Sequence, residues 1–237
     1  MRVLLLTTDT PHHAKFAQSL VLHADVLVVD ERQAMRRPHF HTASEVLASL
    51  QRSYEQARWF NHSEVRLRDV CNVVEVQSVN DTNFDEIASE FRYDLTLVFG
   101  TSILSRETIR RVASPILNFH GGDPQHYRGL DSHLWCAYHA DREALKVALH
   151  VLEPTIDTGP LVSLERVKIE SGSRIEHLRA FTTELCISMT LDVMPQLFDQ
   201  LRSSSLKSYP KGRYYSHMPA LLLDRSRKNY SRWSTEE

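Results

Sequence analysis

Short aliphatic and β-branched runs alternate along the chain with longer stretches whose apolar residues recur at helical spacing. The pattern predicts strands over residues 2–7, 25–29, 73–76, 94–99, a run ending at His120, 146–152 and 161–169. It predicts helices over 11–23, one or two within 42–69, and others over 80–92, 106–112, 131–140 and 173–201. Alternating strands and helices are typical of an α/β protein, so we expect a mostly parallel sheet with helices on both faces.

The serine run 203–205 marks a predicted domain edge, because the chain after it is poorly patterned. We therefore expect one α/β domain over 1–202 and a short C-terminal extension over 203–237. The extension is basic: residues 201–237 carry a formal charge of +5, against −7 for the first 200 residues. It is either a solvated appendage or a surface that attracts a phosphorylated substrate or a partner. Tyr230 and Trp233 within it would either anchor a homodimer or dock on the domain.

The composition narrows the class of protein. At 237 residues, 42% of them hydrophobic, the chain can bury one sizeable core, and its net charge of −2 argues against a nucleic-acid binder. Three cysteines without a C-x-x-C pair fit a reducing cytoplasm and argue against disulfides or a structural zinc site. The scattered histidines lack metal-ligand spacing, so we expect no metal. No apolar run reaches the roughly 20 residues of a membrane span, and we expect a cytoplasmic protein without a leader peptide.

Glycine is concentrated in the middle of the sequence. None of the seven glycines precedes position 100, and five lie between 100 and 159. Glycine serves where the backbone turns with positive φ or approaches a ligand closely, so this third is predicted to build the site. The turn 7–11 after the first strand has neither a G-x-G-x-x-G pattern nor a Walker-type lysine, which argues against a dinucleotide or P-loop site there. Its hydroxyl and amide groups could still hold a phosphate at the helix start.

Two motifs supply the candidate chemistry: Asn118-Phe119-His120-Gly121-Gly122 and Asp157-Thr158-Gly159-Pro160. Asn118 and His120 are two apart on a strand and so project from the same face. An Asn amide can donate to a developing oxyanion, a His can act as acid or base, and an Asp can orient the imidazole. Because the set contains no strong nucleophile, it predicts direct acyl transfer to an amine or to water, without an acyl-enzyme.

Each residue also has a purely structural interpretation. His120 could be a hydrogen-bonded strand-end histidine, Asn118 could cap a turn, and the Asp157 loop could be an ordinary turn, since Asp and Gly favour turns. The placement of all three where apolar runs end favours a shared site, because strand ends that open into loops hold side chains over a crevice.

Together with the loop Pro124-x-x-Tyr127-Arg128-Gly129, these motifs resemble the N10-formyltetrahydrofolate-dependent formyltransferases, whose pattern is N-x-H, a proline- and tyrosine-containing loop, and D-x-G-P. The resemblance is strongest over residues 94–170. It implies a Rossmann-like fold, N10-formyltetrahydrofolate as formyl donor, and direct attack by a substrate amine assisted by Asn118, His120 and Asp157. It implies a folate slot formed by Phe99, Gly100, Thr101, Ser102, Ile103, Leu104, Leu152, Thr155 and Ile156.

The acceptor is implied by how the chain departs from the family's branches. The purine-pathway enzymes have a glycine-rich phosphate loop after the first strand, and the methionyl-tRNA enzymes add a C-terminal barrel too large for the residues after 201. The stretch 120–131 looks more like the sugar N-formyltransferases, which act on nucleotide-linked amino sugars. We assign acceptor binding to Asp9, His12, Lys15, Gly121, Gly122, Tyr127 and Arg128, with a structural role open for Asp9, His12, Lys15 and Arg128. Another amine acceptor, a formylfolate hydrolase and a non-catalytic nucleotide-binding module remain alternatives.

Overall fold

The structure is a computed structural model that describes residues 1–33, 38–202, 206 and 209–235. Its strands are β1 (Arg2–Thr7), β2 (Asp25–Glu31), β3 (Asn72–Val76), β4 (Leu95–Phe99), β5 (Ile116–His120), β6 (Tyr127–Gly129), β7 (Lys146–Val151), β8 (Leu161–Arg166) and β9 (Arg213–Tyr215). Seven of these form one sheet in the order β3-β2-β1-β4-β5-β7-β8, and β6 pairs with β9 separately.

Five neighbouring strands of this sheet, β3, β2, β1, β4 and β5, are parallel, whereas β7 runs antiparallel to both β5 and β8. The mostly parallel α/β fold predicted from the sequence is therefore confirmed. The antiparallel β5–β7 pair places Asn118 directly opposite His150. This register matters for the site, because facing side chains on one side of an antiparallel pair come into contact.

The helices are α1 (Pro11–Leu20), α2 (Ala43–Phe60), α3 (Phe84–Glu90), α4 (Arg106–Arg111), α5 (Ser132–His139), α6 (Leu178–Val193), α7 (Leu197–Arg202) and α8 (Leu223–Thr235). Thr10 precedes α1, with Pro11 at the first helical position, and its hydroxyl contacts His12 and His13 instead of capping the helix. Thr42 and Glu45 form a capping box at the start of α2. The predicted helix over 173–201 is divided by a 3-10 turn, Met194–Gln196, that contains Pro195.

The core lies in two layers, one on each face of the sheet. Side chains alternate along β1, so that Val3 and Leu5 join the larger layer while Leu4 and Leu6 join the smaller one. The larger layer includes residues of α1, α2, α5, α6 and α8, and the smaller one residues of α3. Burial on both faces explains why the central strands read as continuous apolar runs.

The C-terminal extension contains a helix, α8, that the sequence pattern did not predict. Its inner face is partly polar: Ser226 donates to the Leu134 carbonyl at 3.3 Å and Asn229 to the Ala137 carbonyl at 2.8 Å. A helix that docks through such hydrogen bonds lacks a continuous apolar stripe, which is why the periodicity was missed. Tyr230 and Trp233 are buried, so they dock on the domain of their own chain. The predicted domain edge at 203–205 lies outside the described residues.

Within the described part of the chain, no helix has both the length and the apolar character needed to cross a bilayer.

Candidate active site

The three predicted catalytic side chains meet where β5 ends and the loop after β7 folds back. Leu117 and Phe119 point into the larger core layer, so Asn118 and His120 project from the opposite face of β5. Asp157 adopts φ +50°, in the left-handed region, and this turn brings its carboxylate to His120. The Asp157 Oδ2 atom lies 3.2 Å from His120 Nδ1, and both side chains are buried.

The Asp157 carboxylate is held on several sides. Its Oδ2 atom accepts from the Gly129 main-chain N–H at 2.7 Å, and its Oδ1 lies 3.5 Å from His150 Nε2. Burial opposes the charge, but His120 and the Gly129 amide lower the pKa of Asp157 below its ordinary value. Asp157 is therefore a fixed carboxylate at neutral pH.

Both ring nitrogens of His120 face acceptors of the protein. Nε2 lies 2.7 Å from the Tyr127 carbonyl oxygen, which can only accept, so this nitrogen carries a proton. Nδ1 faces the Asp157 carboxylate, and a second proton taken up there would be shared between the two side chains. Burial lowers the pKa of His120, while Asp157 and the Tyr127 carbonyl act in the opposite direction. The His120–Asp157 pair is therefore a buried unit that can take up or release one proton.

His150 belongs to this cluster and was missed in the sequence. Its Nδ1 lies 2.9 Å from the Val151 carbonyl oxygen, and its Nε2 lies 3.2 Å from Asn118 Nδ2. The carbonyl fixes the proton on Nδ1, so Nε2 accepts from the Asn118 amide. The signal was present: His150 is a polar residue inside the buried apolar run 147–152, and such a residue needs a hydrogen-bonding partner.

A cavity of about 610 Å³ opens beside the cluster and is lined by Asn118, His120 and Asp157. Seven of the nine residues predicted for the folate slot line the same cavity: Gly100, Thr101, Ser102, Ile103, Leu104, Leu152 and Ile156. The other two lie outside it. Phe99 packs against Phe16 and Phe119 in the core, and Thr155 is exposed, its carbonyl accepting from Thr158.

Residues 100–104, which form one wall of the main cavity, are held in place by hydrogen bonds to Glu31. The buried Glu31 carboxylate accepts from the Ser102 main-chain N–H at 2.6 Å, the Ser102 hydroxyl at 2.7 Å and the Val79 N–H at 3.0 Å. Gly100 has φ +83°, and a Cβ there would lie 2.4 Å from His13 Nε2. Only glycine lets the chain turn over the His13 ring, whose pKa burial lowers to about 3.

A second cavity, of about 360 Å³, lies at the ends of β1 and β2 and is lined by Asp9, Asp30, Glu31 and Arg32 among others. Asp9 is the one residue of the predicted acceptor set in it. His12 and Lys15 line neither of these two cavities. His12 faces the buried Glu55, 3.9 Å away, and burial lowers its pKa well below the ordinary value.

The remaining residues of the predicted acceptor set stand behind or beside the main cavity. Gly121 and Gly122 pass close to His133 and Ser132 at the start of α5, and Tyr127 supplies the carbonyl that His120 meets. Arg128 donates to two main-chain carbonyls, from Nε to Gly212 at 2.7 Å and from Nη1 to Ile156 at 3.2 Å. Arg128 thus ties the Asp157 loop to the C-terminal segment.

That segment adds residues that the sequence did not reveal. Between Tyr209 and Tyr215 the chain crosses the Asp157 loop: the Tyr209 hydroxyl donates to the Asp157 carbonyl at 3.2 Å, and β9 pairs with β6. Tyr214 and His217 line the main cavity at the end formed by Gly129 and Leu130. They were missed because they follow the unpatterned stretch and carry no motif.

No group of three or more His, Cys, Asp or Glu side chains suited to a metal ion occurs among the residues that the structure describes.

The chain matches a known protein family by sequence and several solved structures by fold. The formyl transferase family matches residues 11–193. No curated protein matches the sequence significantly. A sugar N-formyltransferase from Shewanella sp. FDAARGOS_354 has a similar structure over 97% of this chain and 87% of its own, at 16% identity and a TM-score of 0.59.

Two further solved structures resemble the chain. A 4-N formyltransferase from Francisella tularensis is similar over 91% of this chain and 76% of its own, at 14% identity and a TM-score of 0.57. An N-formyltransferase from Helicobacter canadensis, in complex with folinic acid and dTDP-3-aminofucose, is similar over 91% and 71%, at 13% identity and a TM-score of 0.52. At these identities the likeness concerns the fold.

Proposed function

Because this chain belongs to the formyl transferase family, we propose that it transfers the formyl group of N10-formyltetrahydrofolate to the amine of a nucleotide-linked amino sugar. The observation that carries the proposal is the contact of 3.2 Å between His120 and Asp157, beside Asn118, at a cavity lined by all three. The family establishes an N-formyltransferase that uses a formylated folate. The acceptor and the role of each side chain are the proposed steps.

In the proposed reaction the acceptor nitrogen attacks the formyl carbon directly, and the bond from that carbon to the folate nitrogen then breaks. Asn118 donates one N–H of its amide to the formyl oxygen as that oxygen gains negative charge. Its other N–H is held by His150 Nε2, 3.2 Å away, so the amide is oriented before the donor arrives. The amine loses a proton to the His120–Asp157 pair, and the folate nitrogen gains a proton as it leaves.

The donor end of the cavity is the wall over 100–104 together with Leu152 and Ile156. This wall offers aliphatic surface and main-chain groups, which suits a flat heteroaromatic ring that needs both apolar contact and hydrogen bonds. The Helicobacter canadensis relative binds folinic acid, which supports a folate here. The bracing of Ser102 by Glu31 keeps this wall in place without a ligand.

We assign the acceptor to the part of the cavity wall formed by Gly129, Leu130, Tyr214 and His217. An amino sugar bound there would bring its amine to Asn118, His120 and Asp157, which line the same cavity. The same relative binds dTDP-3-aminofucose, which supports a nucleotide-linked amino sugar as acceptor. Of the acceptor residues assigned from sequence, Asp9 lies in the neighbouring second cavity.

The test compares Asn118→Ala and His120→Ala with the wild-type protein. We expect Asn118→Ala to lower kcat by about 10²–10³, since one oxyanion donor is worth about 3 kcal/mol, and both variants to retain affinity for folinic acid. An exposed control, Asn72→Ala, should behave as wild type because its side chain lies on the far edge strand β3. Normal rates in both folded variants would refute the mechanism.

We further propose a cytoplasmic location, a two-part domain organisation and a homodimeric assembly for this protein. The three cysteines are free, which supports a reducing cytoplasm. A division into a catalytic domain over 1–202 and an extension over 203–237, and assembly as a homodimer, belong to the same proposal. Limited proteolysis and size-exclusion chromatography test them: cleavage confined to the stretch near 203 and a mass of two chains are the expected results.

A further inference from the structure

At the acceptor end of the main cavity, His217 lies against a buried carboxylate. Its Nδ1 atom is 3.6 Å from Asp131 Oδ2, and both residues belong to segments that flank the site, the N-terminus of α5 and the stretch after β9. His217 lines the cavity. The side chain of Asp131 is 10% exposed and that of His217 is 22% exposed, so a ligand in the cavity meets the histidine first.

Asp131 is built to remain ionised. Its Oδ1 accepts from the Ser44 hydroxyl at 2.7 Å, and its Oδ2 accepts from the Met218 main-chain N–H at 2.9 Å. These bonds and His217 lower the pKa of Asp131 although burial opposes the charge. Asp131 in turn raises the pKa of His217, with a smaller effect in the same direction from Glu45.

The ring of His217 has one nitrogen left for a ligand. Nδ1 is buried and lies at ion-pair distance from Asp131 Oδ2, 3.6 Å, without a hydrogen bond among the described residues. No hydrogen bond to Nε2 occurs among them either. A protonated imidazole in this position presents a charged N–H donor to the cavity. Tyr214 lines the same cavity and is 47% exposed, with its ring edge near Gly129. The corner thus combines a cationic donor with an aromatic surface, the pair of features that suits an anionic group attached to a sugar.

We propose that His217, placed against Asp131, forms an anion subsite that binds the diphosphate of the acceptor. This inference rests on the proposed function, because it assumes that the acceptor binds along the wall formed by Gly129, Leu130, Tyr214 and His217. The acidic second cavity argues for this placement: Asp9, Asp30 and Glu31 line it, and the Arg32 guanidinium there is paired with Asp30 and Glu75. The electrostatic environment therefore favours binding of a diphosphate at His217 over binding at the turn after β1.

The test measures binding of UDP, dTDP and GDP, and of uridine, thymidine and guanosine, to the wild-type protein and to His217→Gln by calorimetry. At least one diphosphate should bind wild type about tenfold or more tightly than its nucleoside, and His217→Gln should remove that advantage, because a charged hydrogen bond is lost. His41→Gln is the matched control: His41 also faces a carboxylate, Glu45, at 4.0 Å, but its side chain is 68% exposed and outside the cavity.

The variant Asp131→Asn separates the contribution of Asp131 to diphosphate binding from that of His217. Asn tolerates the left-handed backbone at this position, φ +51°, and keeps an acceptor for Ser44. It should weaken diphosphate binding less than His217→Gln does. An advantage of diphosphates that survives in His217→Gln, or the absence of any such advantage in wild type, would overturn the subsite.

Two further measurements keep the outcomes distinct. The first compares the binding of glucuronic acid with that of glucose. If wild type prefers glucuronic acid, His217→Gln removes this preference and diphosphates bind no better than nucleosides, the subsite binds a sugar carboxylate and the diphosphate proposal is overturned. Folinic acid affinity, which the subsite does not touch, should be equal in wild type and His217→Gln. If diphosphate binding depends on His217 while no amino sugar is formylated, the proposed function fails and the subsite stands.

Discussion

Asn118 and His150 face each other across the antiparallel pair β5–β7, and the Asn118 amide nitrogen lies 3.2 Å from His150 Nε2. The Val151 carbonyl, 2.9 Å from Nδ1, fixes the imidazole proton on the other side of the ring. Nε2 is thereby an acceptor for the amide. We therefore treat His150 as a positioning residue that orients the Asn118 amide.

We predict that His150→Phe lowers kcat about tenfold and leaves KM for the folate nearly unchanged. The ring fills the same space but no longer accepts from Asn118, and the loss of one neutral hydrogen bond is worth about 1 kcal/mol. His150→Gln, whose amide oxygen can accept, should recover part of kcat. Steady-state kinetics with the folate varied checks this. Equal kcat for His150→Phe and wild type would show that Asn118 needs no such support.

Asp157→Asn should lower kcat by a hundredfold or more, about 3 kcal/mol, while changing the melting temperature little. Asn accepts from the Gly129 amide and tolerates φ +50°, so the loop is retained. The negative charge that raises the pKa of His120 is lost, so the pKa of the buried ring falls further and the proton-accepting pair no longer exists. A kcat within threefold of wild type would contradict the role given to the pair.

Gly129→Ala is expected to destabilise the protein strongly. Gly129 has φ +94°, and a Cβ there would lie 2.2 Å from the Tyr215 carbonyl oxygen and 2.7 Å from Tyr214 Cε2. Gly172→Ala is the control, since Gly172 also has positive φ, +69°, but no atom lies within 4 Å of the added Cβ. Gly172→Ala should cost about 1–2 kcal/mol, and Gly129→Ala several more. Thermal unfolding of both variants provides the comparison, and equal melting temperatures would refute the clash.

His217 should make unfolding depend on pH. Because the pKa of His217 is raised in the folded protein, its contribution to stability is fully present below the ordinary histidine pKa, about 6.5. The contribution is lost as the pH rises through the higher folded value. Denaturant unfolding from about pH 6 to 8 should therefore show a steeper loss of stability for wild type than for His217→Gln. Parallel curves would mean that His217 and Asp131 are not coupled.

Glu31→Gln is predicted to weaken folinic acid binding about tenfold and to cost about 1–3 kcal/mol of unfolding free energy. The carboxylate accepts three hydrogen bonds from Ser102 and Val79, and an amide cannot accept all of them. Glu75→Gln, on the exposed strand β3, serves as control and should bind folinic acid as wild type does. Unchanged affinity in Glu31→Gln would show that the 100–104 wall does not hold the folate.

The parts of the fold that the sequence predicted are those where local pattern and burial agree. The strand over residues 2–7 was predicted at its observed bounds, because both of its faces are buried and residues 3–6 form a continuous apolar run. Helix α8 escaped prediction because serine and asparagine occupy positions on its buried face. The direction of β7 was also beyond local pattern, since strand polarity depends on how the connections run in space.

The same contrast holds at the site. Asn118, His120 and Asp157 could be grouped from the sequence because each lies within three residues of a glycine and follows an apolar run. His150, Tyr214 and His217 could not, since their relevance comes from sheet register and from a C-terminal segment that returns across the site. Phe99 shows the converse: it stands at a strand end in the sequence, but the parity of β4 turns its ring into the core.

The most direct measurement is the rate at which tetrahydrofolate is released from N10-formyltetrahydrofolate by the wild-type protein, with and without a panel of nucleotide-linked amino sugars. At least one amino sugar should accelerate release well above the rate without acceptor, and Asn118→Ala should abolish the acceleration. Release at one rate whether or not any amino sugar is present, or no release at all, would contradict the proposed function.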